Sequence, residues 1–384
     1  MGATEDAASQ RPARLGGTVL QSETGSKMRL VFLTQAVDVD DPILGATVAK
    51  LRALAGRVDE LHIICDRVGR HDLPGNCTFA TWAAPTRLGR GLKMLRALVP
   101  LLVRRRPDAV IAHMCPIYLV LAAPFAKPLR VPLVVWYTHW TIDWTLKLAT
   151  RLCAAALSVD VRSYPLDSPK VHGIGHGIDV TEFAPREAAP PAVGPLRLLA
   201  LGRTSPSKGF LTLLRALELA TAAGLDATLE VRGPTTTDEE RRHRAELEEV
   251  IARPPLAGRV RLEAPVPRGD VPELLRSFDA VVNPTKGRTH GGALDKVVYE
   301  SSACGVPVIA CNPHFDGFLG DLPLELRFRS ADPEDLARVL ASFAASDERA
   351  RTETGRELRR RVEAGHSIET WADGVVRVVG ELRS

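Results

Sequence analysis

Apolar runs too short to be helices alternate with helix-like segments along most of this chain. They do so twice. MRLVFLTQ from Met28, LHIIC, AVIAHM and LVVWY each read as buried strands, and residues 45–56 and 91–104 between them carry helical spacing. Such alternation signals βαβ units and parallel sheets. The proline-rich, aperiodic stretch PREAAPPAVGP (185–195) interrupts it and reads as a linker. The alternation then restarts. LRLLAL, ATLEV, GRVRLEA, DAVVNP and VPVIAC read as strands. Residues 208–222 and KVVYESSAC read as helices, Asp270 with Glu273 as a capping-box-like start, and Asp332-Pro333-Glu334 as the opening of another helix. A chain of 384 residues exceeds what one hydrophobic core usually serves. The expected class is therefore α/β, with two Rossmann-like doubly wound domains facing a central cleft, where ligands of such domains bind.

The expected division is a disordered tail 1–27, with Met28 as an alternative start, a first domain 28–185, a linker 186–195, a second domain 196–365 and a C-terminal helix 366–384. The N-terminus is polar and lacks the apolar centre of a secretory signal. Ala109 to Ala126 is uncharged for 18 residues, but His113, Pro116 and Pro124 make it a strand followed by a helix begun at proline, not a membrane span. Six scattered cysteines without a CxxC pair read as reduced, mostly buried thiols of a cytoplasmic protein. The net charge of +4 gives no ground for nucleic-acid binding. Abundant alanine and arginine suit a high-GC bacterial genome.

Two segments carry chemistry. In LLALGRTSPSKGFLTLL (198–214) a strand ends, Gly202 turns, and Arg203 and Lys208 flank a polar loop before a helix. Two cations and free helix amides there suit a diphosphate, although an ordinary solvated loop has the same composition. It is not a Walker A loop. In NPTKGRTHGGALDKVVYESSACGVPVIA (283–310) a strand enters a glycine-rich loop with Gly287, Gly291 and Gly292, and a helix starts near Asp295. Glu300 within that helix can accept hydrogen bonds from sugar hydroxyls or be a surface glutamate, and Asp295 can be simply an N-cap. A third segment, Arg87 to Arg106, holds seven basic residues and no acidic one. It reads as a helix with a solvated basic face or as one that docks on anionic lipid.

Together the first two segments resemble the retaining glycosyltransferases of family 4, which have the GT-B fold, and the resemblance runs almost throughout from Met28. LALGRTSPSKGFLTLLRAL resembles the donor diphosphate loop. YESSACGVPVIA resembles the family's glutamate-plus-small-residue stretch, and Gly175-His176-Gly177-Ile178-Asp179 with Phe183 the segment before the interdomain linker. The resemblance makes Arg203 and Lys208 the diphosphate contacts and Glu300 the second glutamate of a Glu-x7-Glu motif, on the nucleotide ribose. The first glutamate falls at Gly292, and the Leu-Asp-Lys variant offers Asp295 and Lys296 instead. Gly291 and Gly292 belong to the donor loop, Val266 and Pro267 stand beside the nucleobase, and Gly45 opens a helix toward the donor phosphate. His139 matches a histidine lining the reaction centre, or is a structural strand-end residue. His113 and His176 are weaker candidates.

The implied hexosyltransferase moves a sugar from a nucleotide-diphosphate sugar to an acceptor hydroxyl of unknown identity (glycan, glycolipid or small metabolite). Neither metal nor other cofactor is expected. An NDP-sugar epimerase on the same fold and a non-catalytic nucleotide-binding homologue are the alternatives. Peripheral contact of 87–106 with an anionic membrane stands as a further expectation.

Overall fold

The structure, a computed structural model, describes residues 28–41, 44–185, 194–287 and 294–383. The expected tail 1–27 and residues 186–193 of the expected linker lie outside the described residues, as do Gly291 and Gly292.

The first domain contains strands β1 (Arg29–Val37), β2 (Glu60–Val68), β3 (Cys77–Thr81), β4 (Ala109–His113), β5 (Leu133–Trp136), β6 (Ala155–Ser158) and β7 (Val171–Gly173). All pair in parallel, in the order β3-β2-β1-β4-β5-β6-β7. Helices α1 (Ala46–Ala55), α2 (Arg87–Arg104), α3 (Pro116–Ala126) and α4 (Trp144–Leu152) cover it. Leu30 and Phe32 of β1 face one core and Val31 and Leu33 the other. Burial on both faces explains why the strand reads as an unbroken apolar run.

The second domain has strands β8 (Leu196–Leu201), β9 (Ala227–Arg232), β10 (Val260–Glu263), β11 (Ala280–Asn283) and β12 (Val308–Ala310), all parallel, in the order β10-β9-β8-β11-β12. Its helices are α5 (Phe210–Ala222), α6 (Asp238–Ile251), α7 (Val271–Arg276), α8 (Lys296–Ala303), α9 (Asp316–Leu319), α10 (Pro333–Ala345) and α11 (Glu348–Gly365). The last helix, α12 (Ile368–Glu381), returns to the first domain. Its Trp371, Val375 and Val379 join the core formed by β1, α1 and β5. Two Rossmann-like domains therefore face one cleft, which is the GT-B architecture.

Several local expectations need correction. Helix α2 starts at Arg87, where Thr86 caps it by accepting from the Gly89 N–H, not at residue 91. Leu92 on this helix is 60% exposed. Asp270 makes no side-chain cap; residues 268–270 form a 3-10 turn and α7 begins after it. The capping box forms instead at Thr237 and Glu240 of α6. Strand β5 stops at Trp136, so His139 lies in the following loop and does not close the strand. All six cysteines are unpaired, and all but Cys77 are buried.

Helix α5 begins at Phe210, because Gly209 adopts a left-handed conformation with φ +70° after a 3-10 turn over Pro206–Lys208. A β-carbon on Gly209 would lie 2.2 Å from the Pro284 carbonyl oxygen. Gly209→Ala is expected to destabilise the protein by about 2 kcal/mol or more, from left-handed strain plus backbone collision. A urea unfolding midpoint equal to that of the parent would contradict this.

Candidate functional site

Both sheets reverse their strand order beside their first strand, between β1 and β4 and between β8 and β11. Ligands of doubly wound sheets bind beyond the carboxyl ends of the strands at these switch points. The loop after β1 leads to Gly45 and α1, and β4 ends at His113. The loop after β8 carries Arg203 and Lys208, and β11 ends at Asn283 ahead of Asp295 and α8.

Neither loop cation is free. Arg203, 54% exposed in its side chain, donates from Nε to Glu240 Oε1 at 2.6 Å and from Nη2 to Thr236 Oγ1 at 3.0 Å. Glu240 is buried at the start of α6 and also accepts from the Thr236 and Thr237 amides. Burial pushes its carboxyl up, but Arg203 and the Thr236 and Thr237 donors outweigh that and hold it down at about 2. Lys208 Nζ donates to both oxygens of Asp295 at 2.7 and 2.8 Å. Asp295 also accepts from Asn283 Nδ2 and Thr285 Oγ1, and makes no cap to α8. Burial opposes its ionisation, yet Lys208 and these donors keep it below the usual carboxylate range. Asp295 thus ties the two candidate segments together.

Glu300, on the second turn of α8, is also paired. It meets Lys296 Nζ at 2.6 Å and Arg268 Nη1 at 3.6 Å. Arg268 follows Val266 and Pro267 directly, donates to Glu182 Oε2 at 3.0 Å, and lies over the Phe183 ring. A β-carbon on Gly45 would sit 3.4 Å from Arg268 Cδ and 2.7 Å from the Val39 carbonyl oxygen. The N-terminus of α1 therefore comes up against the second domain with no room for a side chain.

Behind it lies Lys50, 7% exposed on α1. Its Nζ is 5.2 Å from the centroid of Trp136 and 5.5 Å from that of Trp371. Burial, then repulsion from Lys296 and Arg268, lowers its pKa to about 7 against the pull of Glu300. His113, also buried, shares a 2.9 Å hydrogen bond between Nδ1 and Thr34 Oγ1. Burial first and Lys50 second push it down to about 3, so it is neutral at physiological pH. His176 is neutral for the same reasons. His139 stands apart from this cluster's contacts. It is exposed, stacks on Trp140 and accepts from the Thr141 amide through Nδ1 at 3.2 Å.

Sequence reading missed Lys50, Arg268, Glu182 and Glu240. Lys50 was legible as a charge on the Thr47, Leu51, Leu54 stripe of α1, and Glu240 as the fourth residue of Thr-x-x-Glu.

Residues 195–345, most of the second domain, match the family model described as Glycosyl transferases group 1. No curated protein matches the chain. Among solved structures, a glycosyltransferase from Rickettsia africae superposes with a TM-score of 0.70 at 13% identity, covering 94% of this chain and 100% of that one. HepE from Anabaena in complex with UDP and glucose gives 0.68 at 18% identity, covering 92% and 100%. An E. coli structure described as trehalose-6-phosphate, bound with UDP-2-fluoro glucose, gives 0.65 at 12%, covering 92% and 99%. These likenesses establish the GT-B fold.

A buried base whose pKa falls on folding destabilises the fold below its folded pKa. Stability then rises with pH between the folded and the unfolded values. Thermal stability is expected to rise from pH 7 to 8.5 more steeply in the parent than in Lys50→Met. Parallel melting curves for the two proteins would refute the buried-ammonium assignment.

Proposed function

We propose that this protein is a retaining glycosyltransferase of family 4 that moves a hexosyl group from a nucleotide-diphosphate sugar to an acceptor hydroxyl without a metal. The observation that carries this reading is that Lys208 pairs with Asp295 at the start of α8, while Arg268, which meets Glu300 of α8, stands against the start of α1, at the switch points of two facing parallel sheets. The group 1 match over the second domain supports it, as do UDP and glucose in HepE.

Cleavage of the glycosidic bond leaves negative charge on the departing diphosphate. Preoriented cations and helix amides stabilise that charge where it develops, commonly the main source of rate enhancement in such catalysis. Arg203 and Lys208 reach it by exchanging or sharing Glu240 and Asp295. Their carboxylates hold the cations in place beforehand, so little reorganisation remains for the reaction itself. Glu300 has lone pairs beyond those engaged by Lys296 and Arg268, and these accept from the ribose hydroxyls. The departing phosphate takes the acceptor proton, and no protein nucleophile is assigned. His139, neutral and exposed, lies on the acceptor side.

Arg203→Ala and Lys208→Ala are each expected to lower kcat/KM by the equivalent of about 2–4 kcal/mol of transition-state stabilisation. Both variants should also lose stability, because each strips the cation from a carboxylate that is largely out of water, Asp295 for Lys208→Ala and Glu240 for Arg203→Ala. Nucleotide release on addition of acceptor, followed by mass spectrometry over a donor panel, checks this. Near-parental turnover in either variant sinks the diphosphate assignment. A changed sugar nucleotide without acceptor makes the protein an epimerase instead, and binding with no turnover a non-catalytic homologue.

A membrane-bound acceptor is favoured by the outer face of α2. Leu88 and Leu92, 75% and 60% exposed, form an i,i+4 apolar pair among Arg87, Arg90, Lys93 and Arg96. Among the described residues no helix is long and apolar enough to cross a membrane, so the proposed contact is peripheral. Phosphatidylglycerol vesicles should sediment the protein, phosphatidylcholine vesicles should not, and Leu88→Glu with Leu92→Glu should abolish the difference. Equal sedimentation of parent and variant would dismiss it.

A further inference from the structure

The cations expected to meet the diphosphate are already matched by carboxylates, Arg203 by Glu240 and Lys208 by Asp295. The cleft's unmatched charge lies elsewhere. Around Glu300, three cations (Lys50, Lys296 and Arg268) face two carboxylates, Glu300 and Glu182. Lys50 is the surplus one. Among the described residues its Nζ has no hydrogen-bond or ion-pair acceptor, only the faces of Trp136 and Trp371. The other groups around it are His113 from β4 and His176 from the interdomain segment, both held neutral. Burying an ammonium without an acceptor is costly, and an aromatic box offsets only part of that cost. Such a site is completed by an anion from outside the chain.

We propose that Lys50, with Lys296 and Arg268, forms a second anion subsite, distinct from the diphosphate site, that takes a carboxylate or phosphate group borne by one of the two sugar substrates. The transferred sugar is the favoured bearer. Lys296 is the first residue of α8 and adjoins Asp295, the partner of Lys208 at the diphosphate end. A group next to the diphosphate is therefore the one within reach. This deepens the donor-site reading and rests on it.

The pKa of Lys50 gives the test a second signal. An anion beside Nζ favours the charged form, so binding of a charged sugar near pH 7.5 should take up protons.

The test is calorimetry on the full chain. UDP, UDP-glucose and UDP-glucuronic acid form one arm; glucose and glucose 6-phosphate added to the UDP complex form the other. GDP and its sugars replace the UDP series if UDP does not bind. The charged ligand is expected to bind about tenfold more tightly than its neutral counterpart in one arm, which identifies the bearer. Proton uptake should accompany it, seen as a dependence of the heat on buffer ionisation enthalpy. K50M should remove both the preference and the uptake while leaving the bare nucleotide's affinity within about twofold. E182Q, at a partly exposed position, removes one carboxylate and should widen the preference. It reads the same charge balance should K50M fold poorly. No preference in either arm, a preference that survives K50M, or a narrower one in E182Q overturns the subsite while leaving the donor reading intact. Absence of any nucleotide binding overturns both.

Discussion

The cleft depends on a few hydrogen bonds that fasten the chain's two crossings between domains to each other. The Ile178 amide donates to the His366 carbonyl at 2.7 Å, and the Ile368 amide to the Ile178 carbonyl at 2.8 Å. The outgoing and returning segments thus form a short parallel bridge between Ile178 and Ser367. Beside it, Gly177 has φ +71°, and a β-carbon there would meet Lys50 Cε at 2.6 Å and Trp371 Cγ at 3.1 Å. Phe183 continues from this bridge into the second domain's core, while Trp371 turns back into the first. A hinge pinned in this way fixes where α1 of one domain stands against Arg268 and α8 of the other.

Around that hinge, charge is organised in layers. The outer cations are matched one to one, Arg203 with Glu240 and Lys208 with Asp295, and each carboxylate is further held by neutral donors. These pairs orient side chains that would otherwise sample many rotamers, at the cost of competing with a ligand for the same cations. The inner layer departs from pairing. Glu300 is shared by Lys296 and Arg268, and Lys50 has aromatic faces in place of a carboxylate. Positive charge thus accumulates toward the hinge, where Lys50 is buried and its interactions are worth more than at the surface.

The sequence displayed the architecture well at most strands buried on both sides; β6 (AALS), equally buried, is too short and alanine-rich to stand out. β1, β2, β4, β5, β11 and β12 carry continuous apolar runs. β3 does not: CTFAT is a half-exposed edge strand, and β7 is three residues long, so neither has a periodic signal. Helices α6 and α11 escaped notice because they are rich in charge. α11 is held by Leu358 and Val362 and by Gly355, which approaches the Gly305 carbonyl too closely for any side chain, a contact no periodicity reveals. Of the candidate site, the resemblance picked out Arg203, Lys208, Asp295, Lys296 and Glu300, and the structure pairs Lys208 with Asp295 and Lys296 with Glu300. What was hidden is the partner of Arg203, Glu240 at 37 residues' distance, and the whole pair of Arg268 with Glu182, 86 residues apart. Pairing across such separations is fixed by topology, which composition does not encode.

At Lys50 the hinge and the charge meet. Its ammonium rests between Trp136, at the end of β5, and Trp371, on the helix that returns across the hinge; the two indoles meet edge to face at 5.7 Å. Its neighbours in charge, Lys296, Arg268 and Glu300, all belong to the opposite domain. Repulsion from the two cations presses the domains apart at this point, while Glu300 draws them together. An anion among the three cations reverses that sign, because it is attracted by both domains at once. Occupancy of the inner cleft and approach of the two sheets are then coupled through the same few charges, with reciprocal effect. Whatever favours the closed cleft tightens the anion, and the anion favours the closed cleft by the same free energy.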